Sequence, residues 1–137
     1  MSKISGPFLD RMDICITAEK VSPFDLRSGS AGEGSETIRN RVMAAHEKQK
    51  KRFEGLNISF NSQMGNREIE EFCRLGPAEE DLMKLHAGKH DMSARTYFRV
   101  LKVARTIADL AGSRDITEDA LCDRCGGKEK KRDADHR

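Results

Sequence analysis

The sequence contains few aromatic residues: it has no tryptophan, one tyrosine and six phenylalanines in 137 residues. Nowhere does it approach the roughly 20 consecutive apolar residues that a membrane-spanning helix needs. The N-terminal sequence, MSKISGPFLDR, also lacks the apolar centre of a secretion signal. We therefore expect a cytoplasmic protein without a membrane partner. The net charge of +2 is too small to indicate a nucleic-acid-binding surface by itself.

The four cysteines do not form the pattern of a disulfide framework, so we expect reduced thiols. Two of them, Cys122 and Cys125, form a CxxC pair, and the nearest downstream histidine is His136. A structural zinc site needs four ligands, so this pair is half a set and we predict no metal site. A zinc-dependent element near the C-terminus is the less favoured alternative.

Sequence motifs of common catalytic sites are also missing. We find no GxSxG, no HExxH and no credible nucleophile–base pair. The sequence Gly126–Lys128 superficially resembles a phosphate-binding loop. However, Cys122 stands where the leading glycine is needed, and Glu129 stands where a serine or threonine must bind magnesium. We therefore reject this motif.

The longest run of helix-forming residues is Ser93–Gly112, and the rest of the chain is organised around it. Its apolar residues recur with the spacing of one helical face. The predicted buried face contains Tyr97, Leu101, Ala104, Ala108 and Ala111, and it is widened by Val100, Val103 and Ile107. Ser93 is a good N-cap, and Gly112 supplies a left-handed stop.

Shorter helices are predicted on both sides of this helix, separated by breaks that contain glycine or proline. They cover Glu36–Phe53, Asn66–Leu75, Ala78–Ala87 and a segment after Thr117. The first is expected to bury Ile38, Val42, Ala45 and Phe53, and the third is expected to turn Leu82, Met83 and Leu85 inward. The basic run Lys48–Arg52 is interpreted as a solvated helix end in preference to a nucleic-acid or partner surface.

These segments predict an all-α fold, a small bundle of four or five helices over residues 35–121. A flexible arm is expected over residues 1–34, and a disordered tail over residues 122–137. Within the arm, Ile14 and Ile16 predict a short strand, followed by a glycine- and serine-rich linker over residues 22–35. No other strand is predicted to pair with it, so we expect the arm to belong to the sheet of another domain.

Arg95 lies in the first turn of the central helix, where backbone N–H groups are unpaired and the helix dipole is positive. A cation opposes the dipole there but is well placed to bind an anion. From the residues alone, an exposed arginine or a simple ion pair is the favoured interpretation, and a phosphate contact is the alternative.

Three blocks of sequence carry a resemblance to a known family. They are SGPFLDRMDI (Ser5–Ile14), GEGSETIRNRVMAA (Gly32–Ala45) and SARTYFRVLKVARTIADLAGSRDIT (Ser93–Thr117). Through these blocks the chain resembles the C-terminal part of magnesium-chelatase-like AAA+ ATPases, in particular the competence-related bacterial branch. The resemblance covers about Ile4 to Leu121.

The resemblance implies that residues 35–121 are a helical lid domain and that residues 1–34 are a remnant of the AAA+ core. It also implies a role for one arginine in each part. Arg11, in the sequence FLDR, matches the arginine finger, which acts in trans on the ATP of a neighbouring subunit. Arg95, at the start of a lid helix, matches sensor 2, which contacts the nucleotide of its own subunit. In this context a nucleotide role for Arg95 becomes the favoured interpretation. The resemblance also implies ATP and Mg²⁺ as cofactors of the parent protein, with an AAA+ core domain and a homo-oligomeric ring as partners.

The sequence departs from the family in having neither a Walker A motif nor a Walker B motif, which that ATP chemistry requires. We therefore expect that this chain alone neither binds ATP tightly nor hydrolyses it, and we interpret it as an excised C-terminal piece. Its predicted function is to sense ATP and couple hydrolysis to ring motion.

The parent protein is expected to remodel DNA or to perform chelatase-type chemistry. DNA is an additional partner hypothesis, through Lys48, Lys50, Lys51 and Arg52. The alternative from another class is a stand-alone helical module that binds protein or DNA and has no nucleotide role.

Overall fold

The computed structural model describes residues 7, 11–14 and 32–125, without the side chains of His90 and of residues 122–125. Helices account for the regular structure of these described residues. The helices are α1 (Ser35–Arg52), a 3-10 turn (Asn61–Gln63), α2 (Asn66–Phe72), α3 (Pro77–His90), α4 (Ala94–Leu110) and α5 (Glu118–Cys125). No strand occurs in this part of the chain. The predicted all-α fold is confirmed.

Local sequence signals set the ends of these helices. Ser93 caps α4, because its side-chain oxygen accepts the amide N–H of Thr96 at 3.2 Å. Gly112 follows α4 with a φ of 78°, a conformation that favours glycine. Pro77 occupies the first turn of α3, where its missing N–H removes no helical hydrogen bond. Thr117 caps α5, because its side-chain oxygen accepts the amide N–H of Ala120 at 3.4 Å.

The central helix of the fold is α4, which packs against α1, the 3-10 turn, α2 and α5. The buried core is Phe53, Met64, Ile69, Cys73, Met83, Val100, Leu101, Ala104, Ile116, Ala120 and Leu121. Two small residues of α4, Ala104 and Ala108, are 0% and 1% exposed, so neighbouring elements approach its backbone closely. The predicted organisation around this helix is therefore confirmed.

The predicted buried face of α1 is wrong over its first half. Ile38 and Val42 are 42% and 38% exposed, while Ala45 and Phe53 are buried as predicted. All of residues 35–44 are exposed, so only the C-terminal half of this helix lies against the core. The apolar spacing identified a face of the helix, but it could not show how far the neighbouring helices extend along it.

Two more apolar residues lie on the surface where burial was predicted. Leu85 of α3 is 53% exposed, whereas Met83 is 2% exposed and forms the inward contact. Ala111 is exposed because it caps the C-terminal end of α4, beyond the packed turns.

The interpretation of Lys48–Arg52 as a solvated helix end is wrong for its last residue. The Arg52 side chain is 14% exposed and pairs with Asp109 of α4. Lys50 and Lys51 are exposed as predicted. Arg52 points inward because a buried carboxylate on α4 needs a cationic partner.

The N-terminal predictions can be compared with the structure only at a few residues. Residues 11–14 form a turn and a bend, so the strand predicted around Ile14 is not present there. Ile16 and the predicted linker up to residue 31 lie outside the described residues.

At the other end, α5 continues to Cys125, past the predicted domain end at Leu121. Residues 126–137 of the predicted tail lie outside the described part of the chain. Over the residues that the structure describes, no helix is both long enough and apolar enough to span a bilayer.

A buried carboxylate, that of Asp109, joins three elements of the fold. Arg52 of α1 donates two hydrogen bonds to it, from Nη1 to Oδ2 at 2.7 Å and from Nη2 to Oδ1 at 2.5 Å. Asn61 of the 3-10 turn donates from Nδ2 to Oδ2 at 2.9 Å. Arg105, one turn earlier on α4, places Nη2 at 3.2 Å from Oδ1. We call these four residues the Asp109 cluster.

Further hydrogen bonds extend the Asp109 cluster to the adjoining loops. The amide of Asn61 donates to Gln49 Oε1 at 3.0 Å, so the 3-10 turn is fixed to α1. Arg105 donates to the backbone carbonyls of Arg114 at 2.8 Å and Ser113 at 3.1 Å. The loop that leads from α4 to α5 is thereby held by the same cluster.

Burial alone would raise the pKa of Asp109, but its partners outweigh that effect. Hydrogen bonds from Arg52 and Asn61, together with the charges of Arg52 and Arg105, hold the pKa below its ordinary value. The carboxylate is therefore ionised at neutral pH, and its charge is balanced by two guanidinium groups.

Replacing Asp109 by alanine should destabilise the chain by about 3–5 kcal/mol, because Arg52 and Arg105 would keep their buried charges without a counterion. The free energy of unfolding can be measured by urea titration with circular dichroism at 222 nm. The control is Asp81→Ala, which removes an exposed carboxylate 3.7 Å from Lys84 and should change stability by less than about 0.5 kcal/mol. Equal losses in both variants would contradict the role assigned to Asp109.

The lowered pKa of Asp109 also predicts that the folding stability depends on pH. Its stabilising contribution is present above the pKa of the carboxyl in the unfolded chain and is lost as the pH falls through the lower folded-state value. The stability gap between the wild type and Asp109→Asn should therefore be widest at pH 7 and should narrow below about pH 4. Urea titrations at pH 7, 5, 4 and 3 measure this gap, and a constant gap would refute the prediction.

Candidate functional site

Arg95 is the second residue of α4 and is exposed at the start of that helix. The first turn contains no acidic residue, although acidic residues are the usual complement to the positive end of a helix dipole. The Ser93 cap satisfies one backbone amide of the turn. The end of α4 thus combines a guanidinium, a positive dipole and helical N–H groups, an arrangement that suits an anion.

Two other cations follow Arg95 on the same side of α4, and both have partners. Lys102 donates from Nζ to the backbone carbonyl of Ser62 at 3.1 Å. Arg99 forms an ion pair with Asp13, with Nη2 at 2.6 Å from Oδ1. Arg95, by contrast, forms neither a hydrogen bond nor an ion pair within the described residues. It is the cation of this row that is available to a ligand.

Arg11, the other candidate site residue, is exposed in the short N-terminal segment 11–14. Asp13 in the same segment accepts a hydrogen bond from Arg99 Nε at 2.8 Å. The structure therefore brings the segment that carries Arg11 onto the helix that carries Arg95. The sequence identified the two arginines separately and did not predict this contact.

Beside the ion pair lies an open groove of about 430 Å³ along α4. Asp13 and Ile14 form one side of it, and apolar residues that include Val103, Ile107 and Leu110 form the other. Ile14 remains 66% exposed, so the apolar side of the groove covers it only in part. This segment is therefore attached to α4 by an ion pair and by partial apolar cover of Ile14.

The described residues offer no metal centre: no group of three histidine, cysteine or acidic side chains is placed to hold an ion. The side chains of the CxxC pair and His136 lie outside the described part. Cys73 is buried, and burial raises the pKa of its thiol to about 11. This thiol is neutral at physiological pH and is therefore a poor nucleophile and a poor metal ligand.

The described helical region matches a known family from end to end. A family model described as "Magnesium chelatase, subunit ChlI C-terminal" matches residues 32–125, which run from just before α1 to the end of α5. The chain belongs to the magnesium chelatase C-terminal domain family. Arg95 lies inside the range that matches the family model, whereas Arg11 precedes it.

Several individual proteins are similar to almost the whole chain. Competence protein ComM of Haemophilus influenzae is 35% identical over 127 residues, which make up 92% of this chain and 24% of that protein. YifB of Escherichia coli is 42% identical over 127 residues, 88% of this chain and 23% of the relative. Mb2921c of Mycobacterium bovis is 31% identical over 116 residues, which make up 82% of this chain and 22% of that protein. The chain thus spans about a quarter of the length of these family members.

Sequence reasoning missed the Asp109 cluster and the partner of Arg99. Arg105 and Asp109 are four residues apart with opposite charges, next to the small residues Ala104 and Ala108. That placement on an otherwise buried face is a usable signal for a buried ion pair. No comparable signal marked Asp13, which is 86 positions away from its partner in the sequence.

Replacing Ser93 by alanine should destabilise this family member by about 1 kcal/mol, because the Thr96 amide at the start of α4 would lose its acceptor. Ser93→Gly should cost only a few tenths of a kcal/mol, since glycine is also tolerated at N-caps. Ser59→Ala, at an exposed loop position, is the control. Urea titration measures all three variants, and a Ser93→Ala value equal to that of the control would contradict the capping role.

Proposed function

We propose that this chain is the lid of an AAA+ ATPase, which senses bound ATP through Arg95 and couples its hydrolysis to movement of a ring. The observation that carries the proposal is the exposed and unpaired Arg95 at the start of α4, in a turn without acidic residues. The membership of the magnesium chelatase C-terminal family supports it.

The chemistry of the turn suits a phosphate better than other ligands. A guanidinium donates two parallel hydrogen bonds to phosphate oxygens, and the helix dipole adds favourable electrostatics. Phosphate binding would supply the negative charge that this turn lacks. The packing of α4 against four other elements makes it a rigid lever, so a force on Arg95 acts on the whole bundle.

Arg11 is proposed as the arginine finger, which reaches the ATP of the neighbouring subunit. Its side chain is exposed, as that role requires, and the segment around it is attached to α4 through Asp13. A finger supplied in trans stabilises the charge of the transition state and makes hydrolysis depend on ring assembly.

We propose that ATP and Mg²⁺ are bound by the AAA+ core, since the Walker A and Walker B motifs of that core supply the residues that this chemistry requires. We propose that this core covers the outer half of α1. Ile38, Val42 and Met43 are 38–50% exposed there, although apolar side chains usually find cover. The relatives are about four times as long as the chain, so they have room for such a domain.

Direct DNA binding through the basic run has less support than the nucleotide role. Arg52 is engaged by Asp109, which leaves fewer free cations than the sequence suggested. The open groove next to Phe60 is lined by Lys50 and Lys51, but Glu47 and Glu54 offset their charge. We therefore assign contact with DNA, where the parent remodels it, to other parts of the ring.

The proposal predicts the effect of two substitutions in the full-length protein that carries this chain. Arg95→Ala should slow ATP turnover by about 10- to 100-fold, because one charged hydrogen-bonding contact to phosphate is lost. Arg11→Ala should slow it by about a thousandfold or more, as expected for an arginine finger. Phosphate release measures turnover, and Arg67→Ala, on the exposed surface of α2, is the control.

A mixing experiment separates the two roles. Subunits with Arg11→Ala should regain activity when mixed with subunits that lack the Walker lysine, because each supplies what the other's shared site needs. Subunits with Arg95→Ala should gain nothing from the same mixture, since Arg95 acts on its own subunit's ATP. Unchanged turnover of Arg95→Ala would overturn the proposal, and its rescue in the mixture would overturn the assignment of Arg95 to its own subunit's site.

A further inference from the structure

The ion pair between Asp13 and Arg99 has an asymmetric setting. Asp13 Oδ1 lies 2.8 Å from Arg99 Nε and 2.6 Å from Nη2, so one carboxylate oxygen serves two donors. The Arg99 side chain is 18% exposed, whereas the Asp13 side chain is 63% exposed. The guanidinium is therefore held on α4, and the carboxylate reaches it from the outer side.

Each partner of this pair stands close to one of the two exposed arginines. Arg99 follows Arg95 by one helical turn, a rise of about 6 Å. Asp13 follows Arg11 by two residues, which span at most about 7 Å of extended chain. While the pair is intact, a displacement of α4 is passed to Arg11 over a very short stretch of backbone.

We infer that Asp13 and Arg99 are positioning residues, which couple the placement of Arg11 to the movement of α4. The inference rests on the proposed function, because it draws its consequence from the roles given there to Arg11 and Arg95. A lid that responds to ATP in its own subunit thereby also sets where the finger is presented to the next subunit. Two nucleotide sites communicate through one carboxylate–guanidinium contact.

The strength of the contact suits a coupling that forms and breaks during a catalytic cycle. Ion pairs with an exposed partner contribute little to folding stability, so breaking this one leaves the helical bundle intact. The apolar groove below it covers Ile14 only in part, and that residue is 66% exposed. Loss of the ion pair should therefore weaken the attachment of segment 11–14 to α4.

The first test uses this chain alone and needs no nucleotide. In Asp13→Asn, exchange of the Arg99 Nε–H with water should accelerate by about two- to fivefold, the factor that corresponds to an exposed ion pair. NMR measures this rate, and the amides of Met12 and Asp13 should shift in the same spectra. Asp81→Asn, in the exposed pair with Lys84, is the control. An unchanged Arg99 rate in Asp13→Asn would overturn the inference.

The second test exchanges the charges in the full-length protein. Asp13→Arg and Arg99→Asp should each lower kcat several-fold without raising KM for ATP, because neither residue grips the nucleotide. The double variant should regain most of the lost kcat, since the pair is restored in reverse. A double variant no faster than the slower single variant, or single variants as fast as wild type, would overturn the coupling.

The failure of this inference differs from a failure of the proposed function. If Arg95→Ala left ATP turnover unchanged, the proposed lid function would be refuted, whatever the charge-exchange variants of Asp13 and Arg99 showed. If Arg95→Ala and Arg11→Ala slowed ATP turnover but the double charge-exchange variant did not regain kcat, only the coupling through Asp13 and Arg99 would be refuted.

Discussion

The fold depends on one buried carboxylate more than on any other polar group. Asp109 binds Arg52 of α1, Asn61 of the 3-10 turn and Arg105 of its own helix, and Arg105 in turn holds the loop before α5. Taking these charges out of water is costly, and the cost is offset only when all partners keep their places. The Asp109 cluster therefore specifies one relative arrangement of α1 and α4. That rigidity allows the N-terminal end of α4 to act as part of a single body.

The candidate site and the Asp109 cluster lie on the same helix, and they divide its length. The C-terminal half of α4 carries Arg105 and Asp109, which fix the helix to its neighbours. The N-terminal half carries Arg95 and Arg99, whose surroundings are more exposed. One end of the helix is thus anchored by buried charge, while the other carries exposed charge. This division leaves the N-terminal end of α4 open to solvent while its C-terminal half belongs to the core.

What the sequence predicted correctly rests on local chemistry. The Ser93 cap, the Gly112 stop and the buried face of α4 involve residues within a few turns of one another, so spacing alone reveals them. The pairs Arg52–Asp109 and Asp13–Arg99 join residues 57 and 86 positions apart, and spacing carries no information about such contacts. The exposure of Ile38 was missed for a related reason, because periodicity does not report the extent of the opposing surface.

The outer half of α1 has a thermodynamic consequence. This helix runs from solvent into the core, with residues 35–44 exposed and Phe53 buried at its far end. An exposed ion pair between Glu33 and Arg41 contributes little to the stability of the N-terminal end of α1. Fraying of α1 should therefore begin at Ser35 and become steadily more costly toward Gln49. A domain that covered Ile38 would stop this fraying, so its docking and the local ordering of α1 would be a single thermodynamic event.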